Sequence, residues 1–156
     1  MDATARDLIN HYLAELGRAY DAEIALDREG NCVIEDDAGN ECLLSVIDSG
    51  CHFLLTSELT RLDSTSEHAL LRRALILNGD LDTTGGACVS YVEDRKVFIV
   101  HRVNSVRGLS FENFRGLVED FLDTVADIEE RLGEDPTPAT AHLPTERAES
   151  SKNIRV

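Results

Sequence analysis

The stretch LNGDLDTTGGACVSY, residues 77–91, gathers residue types that bind phosphates and cations. Gly85 and Gly86 follow two threonines, and Asp80 and Asp82 sit just ahead of them. A phosphate-cradling loop needs a lysine and a serine or threonine directly after its last glycine, at the start of a helix. Here Ala87 and Cys88 follow, and the pattern beyond is that of a strand. The aspartates would also repel phosphate. A calcium loop of the EF-hand kind wants oxygen ligands at its first, third and fifth positions, glycine at the sixth and glutamate at the twelfth. Asn78, Asp80 and Asp82 alternate correctly, but Thr83 takes the glycine's place and Val89 the glutamate's. The plainer reading is a junction. Asn78 and Gly79 stop a helix, residues 80–84 turn, and Gly85-Gly86 lead the chain into a sheet.

The other reactive side chains are scattered. The cysteines are Cys32, Cys42, Cys51 and Cys88, with no CxxC spacing, and the five histidines show no HExxH motif. His52, Cys42 and Cys88 could approach a zinc ion from adjacent strands, but buried structural thiols are commoner where no tight motif exists. Cys51 and His52 are neighbours on a strand, so their side chains face opposite ways. No Gly-x-Ser-x-Gly elbow is present. The acid pairs Asp36-Asp37 and Glu129-Glu130 read as a solvated turn and a solvated helix face. No enzyme constellation emerges, and no cofactor or metal is implied. The competing reading is a small metal- or ligand-binding enzyme that uses the 80–88 loop with the Cys and His residues.

The elements that would position these residues are legible. Thr4 and Asp7 form a capping box for a first helix, and Gly17 is a candidate stop. Leu8, Tyr12 and Leu16 make one stripe of that helix, with Ile9 and Leu13 beside it. Part of the stripe packs on the sheet, and its edge could line a groove for an extended partner. Two similar turns, DREGN (27–31) and DDAGN (36–40), bracket a short strand. ECLLSVI and CHFLLTS follow as two more strands, joined through residues 48–50. STSE (64–67) is a capping box for a second helix, which is apolar over most of its circumference. Such a helix must be buried on two sides, and in a small domain the second side is often another subunit. ACVSYV and VFIVHRV form a hairpin around residues 93–96. From Ser110, Phe111, Phe114, Val118, Phe121, Val125, Ile128 and Leu132 alternate by three and four, as in a long helix lying on a sheet. The order α-β-β-β-α-β-β-α predicts an α+β domain with a twisted, mostly antiparallel sheet flanked by helices.

Bulk properties narrow the partners. The chain has 156 residues and a net charge of −15, enough for one domain with a core. All three prolines lie beyond Leu132, where apolar residues thin out. Residues 133–156 therefore read as a disordered tail behind a domain spanning 1–132. Setting aside the tail's four acids and three bases leaves 26 acids against 12 bases. The acidity belongs to the fold. It argues against nucleic acid and anionic membranes as partners. No apolar run approaches the roughly 20 residues that span a bilayer. MDATARDL lacks the basic and apolar regions of a secretory signal, so reduced thiols and a cytosolic location are expected.

The segment LLRRALILNGDLDTTGGACVSYVEDRKVFIVHRV resembles the second helix and last hairpin of type III secretion chaperones, the small acidic CesT-like (class I) proteins. The shared features are an apolar helix ending in Leu-x-Asn, a short loop, Thr-Gly-Gly-Ala and two strands. The long third helix LSFENFRGLVEDFLDTVADIEERL follows, as in that family, and the likeness covers about residues 3–132. Length and acidity are also similar to HpaB-like chaperones of plant pathogens, which serve many effectors. The resemblance implies a cytoplasmic bacterial homodimer that binds unfolded N-terminal segments of secreted effectors and keeps them export-competent. It implies an interface at Leu70, Ala74, Leu77, Val89 and Tyr91, and an effector patch at Leu8, Tyr12 and Leu16. It leaves open whether the tail recruits the secretion ATPase or a regulator.

Overall fold

A computed structural model describes residues 4–36, 38–47, 51–59 and 67–133. Helix α1 spans Ala5–Ala19. Its capping box is present: the Thr4 hydroxyl accepts from the Asp7 N–H at 3.2 Å, and the Thr4 N–H donates to the Asp7 carboxylate at 3.1 Å. Strands β1 (Asn31–Glu35), β2 (Glu41–Ile47) and β3 (His52–Glu58) form the meander. Helix α2 (Glu67–Leu77) follows, then a single turn of helix, α3 (Leu81–Thr84). β4 (Cys88–Val92) and β5 (Val97–Ser105) make the hairpin, and α4 (Phe111–Gly133) closes the domain. Ser64, Thr65 and Ser66 of the second capping box, the turn at 48–50, Asp37 and the tail from residue 134 lie outside the described residues.

The five strands form one antiparallel sheet in the order β1-β2-β3-β5-β4. Register sorts its faces. Cys32, Leu44, Leu55 and Arg102 align across four strands on the inner face, as do Val46, Phe53 and Asn104. Helices α1 and α4 cover that face. Ile9 and Leu13 of α1 and Phe114, Phe121, Ile128 and Leu132 of α4 are fully buried there. Tyr12 joins this layer: its ring lies 5.6 Å from that of Phe114, which is 5.8 Å from Phe53, and its hydroxyl donates to the Leu109 carbonyl at 2.6 Å. Arg102 enters the same layer, its guanidinium 5.5 Å over the Phe121 ring and donating to the Leu117 carbonyl.

Two local features differ from expectation. Gly17 does not stop α1; the helix runs on to Ala19 and is capped at Tyr20. The glycine is needed because the returning chain crosses it, and a Cβ there would lie 2.4 Å from the Ala22 carbonyl oxygen. Residues 80–84 are not an open turn. Asp80 caps α3 by accepting from the Thr83 N–H and hydroxyl, and Gly85 ends it at φ +54°. That left-handed φ, rather than crowding, calls for glycine, since a Cβ would meet Thr124 only at ordinary contact distance.

The two similar aspartate turns are built alike. Asp27 accepts from the backbone N–H groups of Glu29 and Asn31, and Asp36 from those of Ala38 and Asn40. Gly30 and Gly39 follow with positive φ. These hydrogen bonds hold both carboxyls below the ordinary value of 3.8, the Asn31 N–H dominating at Asp27 and the Asn40 side chain at Asp36. The cap residues Asp7 and Asp80 are lowered likewise, by Thr4 and Thr83.

Two predictions follow from these local interactions. A depressed carboxylate pKa adds stability that is complete above the unfolded value and is lost as pH falls through the folded one. The urea midpoint should therefore be flat near neutrality and drop below about pH 4; a midpoint that rises on acidification would contradict the four-carboxylate account. In Gly17→Ala, helix propensity favours alanine by up to about 1 kcal/mol. Overlap with the Ala22 carbonyl should outweigh it, for a net loss of about 2 kcal/mol in urea denaturation; unchanged or raised stability would show that the crossing relaxes freely.

Candidate functional site

The junction at 77–91 is structural in detail. The Asn78 side-chain amide donates to the Val89 carbonyl at 2.9 Å, and its oxygen accepts from the Val89 N–H at 2.8 Å. One side chain thus replaces a neighbouring strand at the outer edge of β4. Asp80 is occupied as a helix cap, and Thr84 is fully buried. The alternating Asn78, Asp80 and Asp82 do not form a ligand set, because the first two carry these local duties.

The Cys and His residues do not assemble either. Cys42 is buried on the inner face, where desolvation pushes its thiol up to about 12. Cys88 is exposed on β4 and pairs across the strands with His101 on the outer face. The sheet separates these two thiols. Among the described residues, no group of three or more His, Cys, Asp or Glu side chains could hold a metal ion.

Among the described residues no helix covers the outer face of the sheet, which carries an apolar cluster among polar side chains. Val33 and Leu43 pair across β1 and β2, and Leu54 and Val103 across β3 and β5. Val33 is 60% and Val103 56% exposed, and Leu43 and Ile47 are also exposed. Alternation dictates this: the same strands send Ile34, Leu44, Leu55 and Asn104 inward. An exposed apolar cluster with no described element over it is a candidate interaction surface.

The β1 edge is open where the β4 edge is blocked. Gly30 accepts from the Val46 N–H, and the Asp36 N–H donates to Asn40. With Cys32 opposite Leu44, the narrow pairs fall at Cys32 and Ile34, so Asn31, Val33 and Glu35 aim their backbone groups off the edge. Asn31 is satisfied by Asp27 in both directions. Val33 and Glu35 remain with N–H groups free for an added strand, among the described residues. Beside this edge lies a groove of about 310 Å³ floored by Leu16, Ile24, Ile34, Val118 and Leu122, with Tyr20 at its mouth.

The residues singled out from sequence divide between the core and its margin. Tyr12 and Leu16 are buried in their own chain, and Leu8 is half-buried at the rim. Leu16 nonetheless contributes to the groove floor. Leu70, Ala74 and Val89 are buried within the chain, while Leu77 and Tyr91 are half-buried. The outward side of α2 is instead Leu75, 74% exposed, and Ile76, 64% exposed, continued by Leu81 of α3. The amphipathic pattern could not reveal this, because α2 is apolar on nearly every side.

Among the described residues, helices back one face of the sheet and none covers the other, and a second apolar patch lies on α2 and α3; this is the architecture of a protein with surfaces for other polypeptides. The chain matches the model of the Tir chaperone protein (CesT) family over residues 11–129 and belongs to that family. No curated protein sequence matches it. Among solved structures, the ExsC–ExsE complex aligns at TM-score 0.70 and 20% identity, over 85% of this chain and 97% of that one. The HopA1–SchA chaperone–effector complex aligns at TM-score 0.61 and 18% identity, over 80% and 98%. The ExoU–SpcU complex of the Pseudomonas aeruginosa type III secretion system aligns at 0.57 and 12%, over 79% and 96%. These likenesses concern the fold. No helix among the described residues is long and apolar enough to cross a membrane.

Removing the Asn78 amide tests its role as edge guard. Asn78→Ala should lower the unfolding free energy by about 2 kcal/mol, since two partly buried backbone groups lose their partners. It should also raise self-association at high concentration. A variant with wild-type stability in urea denaturation would show that water replaces the amide without loss.

Proposed function

We propose that this protein is a cytoplasmic, non-catalytic chaperone that holds an export-bound effector of a type III secretion system in extended form. The observation that carries the reading is the bare apolar outer face of the sheet, bordered by the open β1 edge. An extended client can add backbone hydrogen bonds at Val33 and Glu35 and lay apolar side chains on Val33, Leu43 and Val103. Membership of the CesT family supports it, as does a neighbour that is a chaperone–effector complex. The buried Cys42 thiol and the occupied Asp80 remove two of the groups that the enzyme reading would use.

In this reading the protein works as a homodimer joined through Leu75, Ile76 and Leu81. Their exposure gives the apolar helix the second covered side that its composition asks for. Two copies would then present one continuous path to a client.

The decisive experiment is capture of secreted proteins from the native cell by the tagged full-length chain. Secreted effectors should co-purify; recovery of metabolic proteins alone would refute the reading. Val33→Asp with Val103→Asp should cut capture about tenfold or more while keeping the oligomer, and undiminished capture would move the client elsewhere. Leu75→Asp with Ile76→Asp should halve the mass measured by light scattering with helix content retained. An unaltered dimer mass would relocate the interface.

A further inference from the structure

We infer that the groove between α1, β1 and α4 selects client segments in which a bulky apolar side chain is flanked by lysine or arginine. The inference rests on the chaperone reading and specifies the chemistry of the segment bound at one site. The groove has an apolar floor and an acidic rim. Ile34 reaches into it from the inner face of β1, between Leu16 of α1 and Val118 and Leu122 of α4. Glu35, Asp36 and Glu119 stand around the opening, against one base, Arg115. Arg115 is already engaged by Glu119 at 3.6 Å. Asp36 is held anionic by the hydrogen bonds of its turn. On the opposite side of β1, a second cleft of about 350 Å³ carries Glu23 and Asp27 beside Val33 and Leu43.

The edge geometry ties these charges to positions on the client. A strand added at Val33 and Glu35 sends successive side chains to opposite faces. One of them enters the groove over Ile34. Its neighbours emerge next to Glu35 and the Glu23–Asp27 cleft, and positions farther along pass Asp36 and Glu119. The apolar anchor thus supplies burial, while every flanking position meets carboxylate. Acidic flanks would be repelled there, and basic flanks attracted.

The test uses the full-length protein and fluorescent decapeptides of alternating pattern, with a central leucine and lysine, serine or glutamate flanks. Affinity by anisotropy should rank lysine over serine over glutamate, with a spread of about tenfold at low salt that narrows as salt rises. In Glu35→Lys with Glu119→Lys, both exposed positions, the ranking should reverse. In the control Asp127→Lys with Glu130→Lys, which changes net charge equally on exposed α4 positions away from the groove, the ranking should persist. Equal affinity for the three peptides, or reversal in the control as well, overturns the inference. If secreted proteins are captured but no peptide binds, or none by its flanking charge, the inference falls and the chaperone reading stands. If neither proteins nor peptides bind, the chaperone reading falls with it.

Discussion

The structure depends on one-sided burial of its sheet. Helices α1 and α4 press Tyr12, Phe114 and Phe121 against Phe53, Leu44, Leu55 and Val100, all on the inner face. Each fully buried large apolar side chain contributes about 1.5–3 kcal/mol relative to exposure. A domain is stable by only about 5–15 kcal/mol, so this layer is where the fold is decided. Because the layer is complete within one chain, the remaining apolar surface is not needed to hold the chain together. That surface is concentrated rather than scattered: Val33, Leu43, Ile47 and Val103 on the sheet, and Leu75, Ile76 and Leu81 at α2 and α3.

The two sheet edges are treated unequally, and the difference assigns them different work. At β4, Asn78 satisfies both backbone groups of Val89, and α2 packs alongside. Strand addition there would have to displace two hydrogen bonds before making any. At β1, the Asp27 turn uses up Asn31 and stops, leaving the N–H groups of Val33 and Glu35 without a partner among the described residues. An unguarded edge is a liability in a monomer, which proteins usually blunt with charge or a bulge. Here Glu35 supplies charge at the edge, yet the backbone stays accessible. Retaining a partly open edge beside a bare apolar face is consistent with a surface kept for another chain.

Much of this was readable in the residues, for identifiable reasons. The capping box at Thr4 and Asp7, the three-four alternation of α4 and the twin aspartate turns are local signals, and each appears where the sequence places it. Whatever depends on rotation about an axis was not readable. In α2, Leu70, Ala74, Leu75 and Ile76 are chemically alike, and only packing on β4 and α4 decides which turn inward. Tyr12, which the resemblance assigns to the effector patch, packs inward, and its hydroxyl donates to the Leu109 carbonyl, a partner far along the chain. Arg102 breaks alternation altogether, an arginine on the inner face held by Phe121 and a helix carbonyl. Gly17 resembled a helix stop because the crossing segment that requires it leaves no local mark.

The acidity completes the physical picture, because exposed apolar surface and solubility conflict. A bare sheet face and an apolar helix flank would drive nonspecific association in a neutral protein. A net charge of −15, all but one unit of it carried before residue 133, opposes it. The carboxylates divide by environment. Asp7, Asp27, Asp36 and Asp80 are held by caps and turns, so their charge is fixed in place by the fold. The acids on the outward side of α4, such as Asp123, Asp127 and Glu130, are exposed and act at longer range. Repulsion among copies then falls most heavily on contacts that bury little apolar area. A contact that buries the α2 flank, or a client that buries the sheet face, gains enough to overcome it. Charge thereby filters association by the quality of the apolar fit, and the surfaces that remain competent are the two that the fold leaves uncovered.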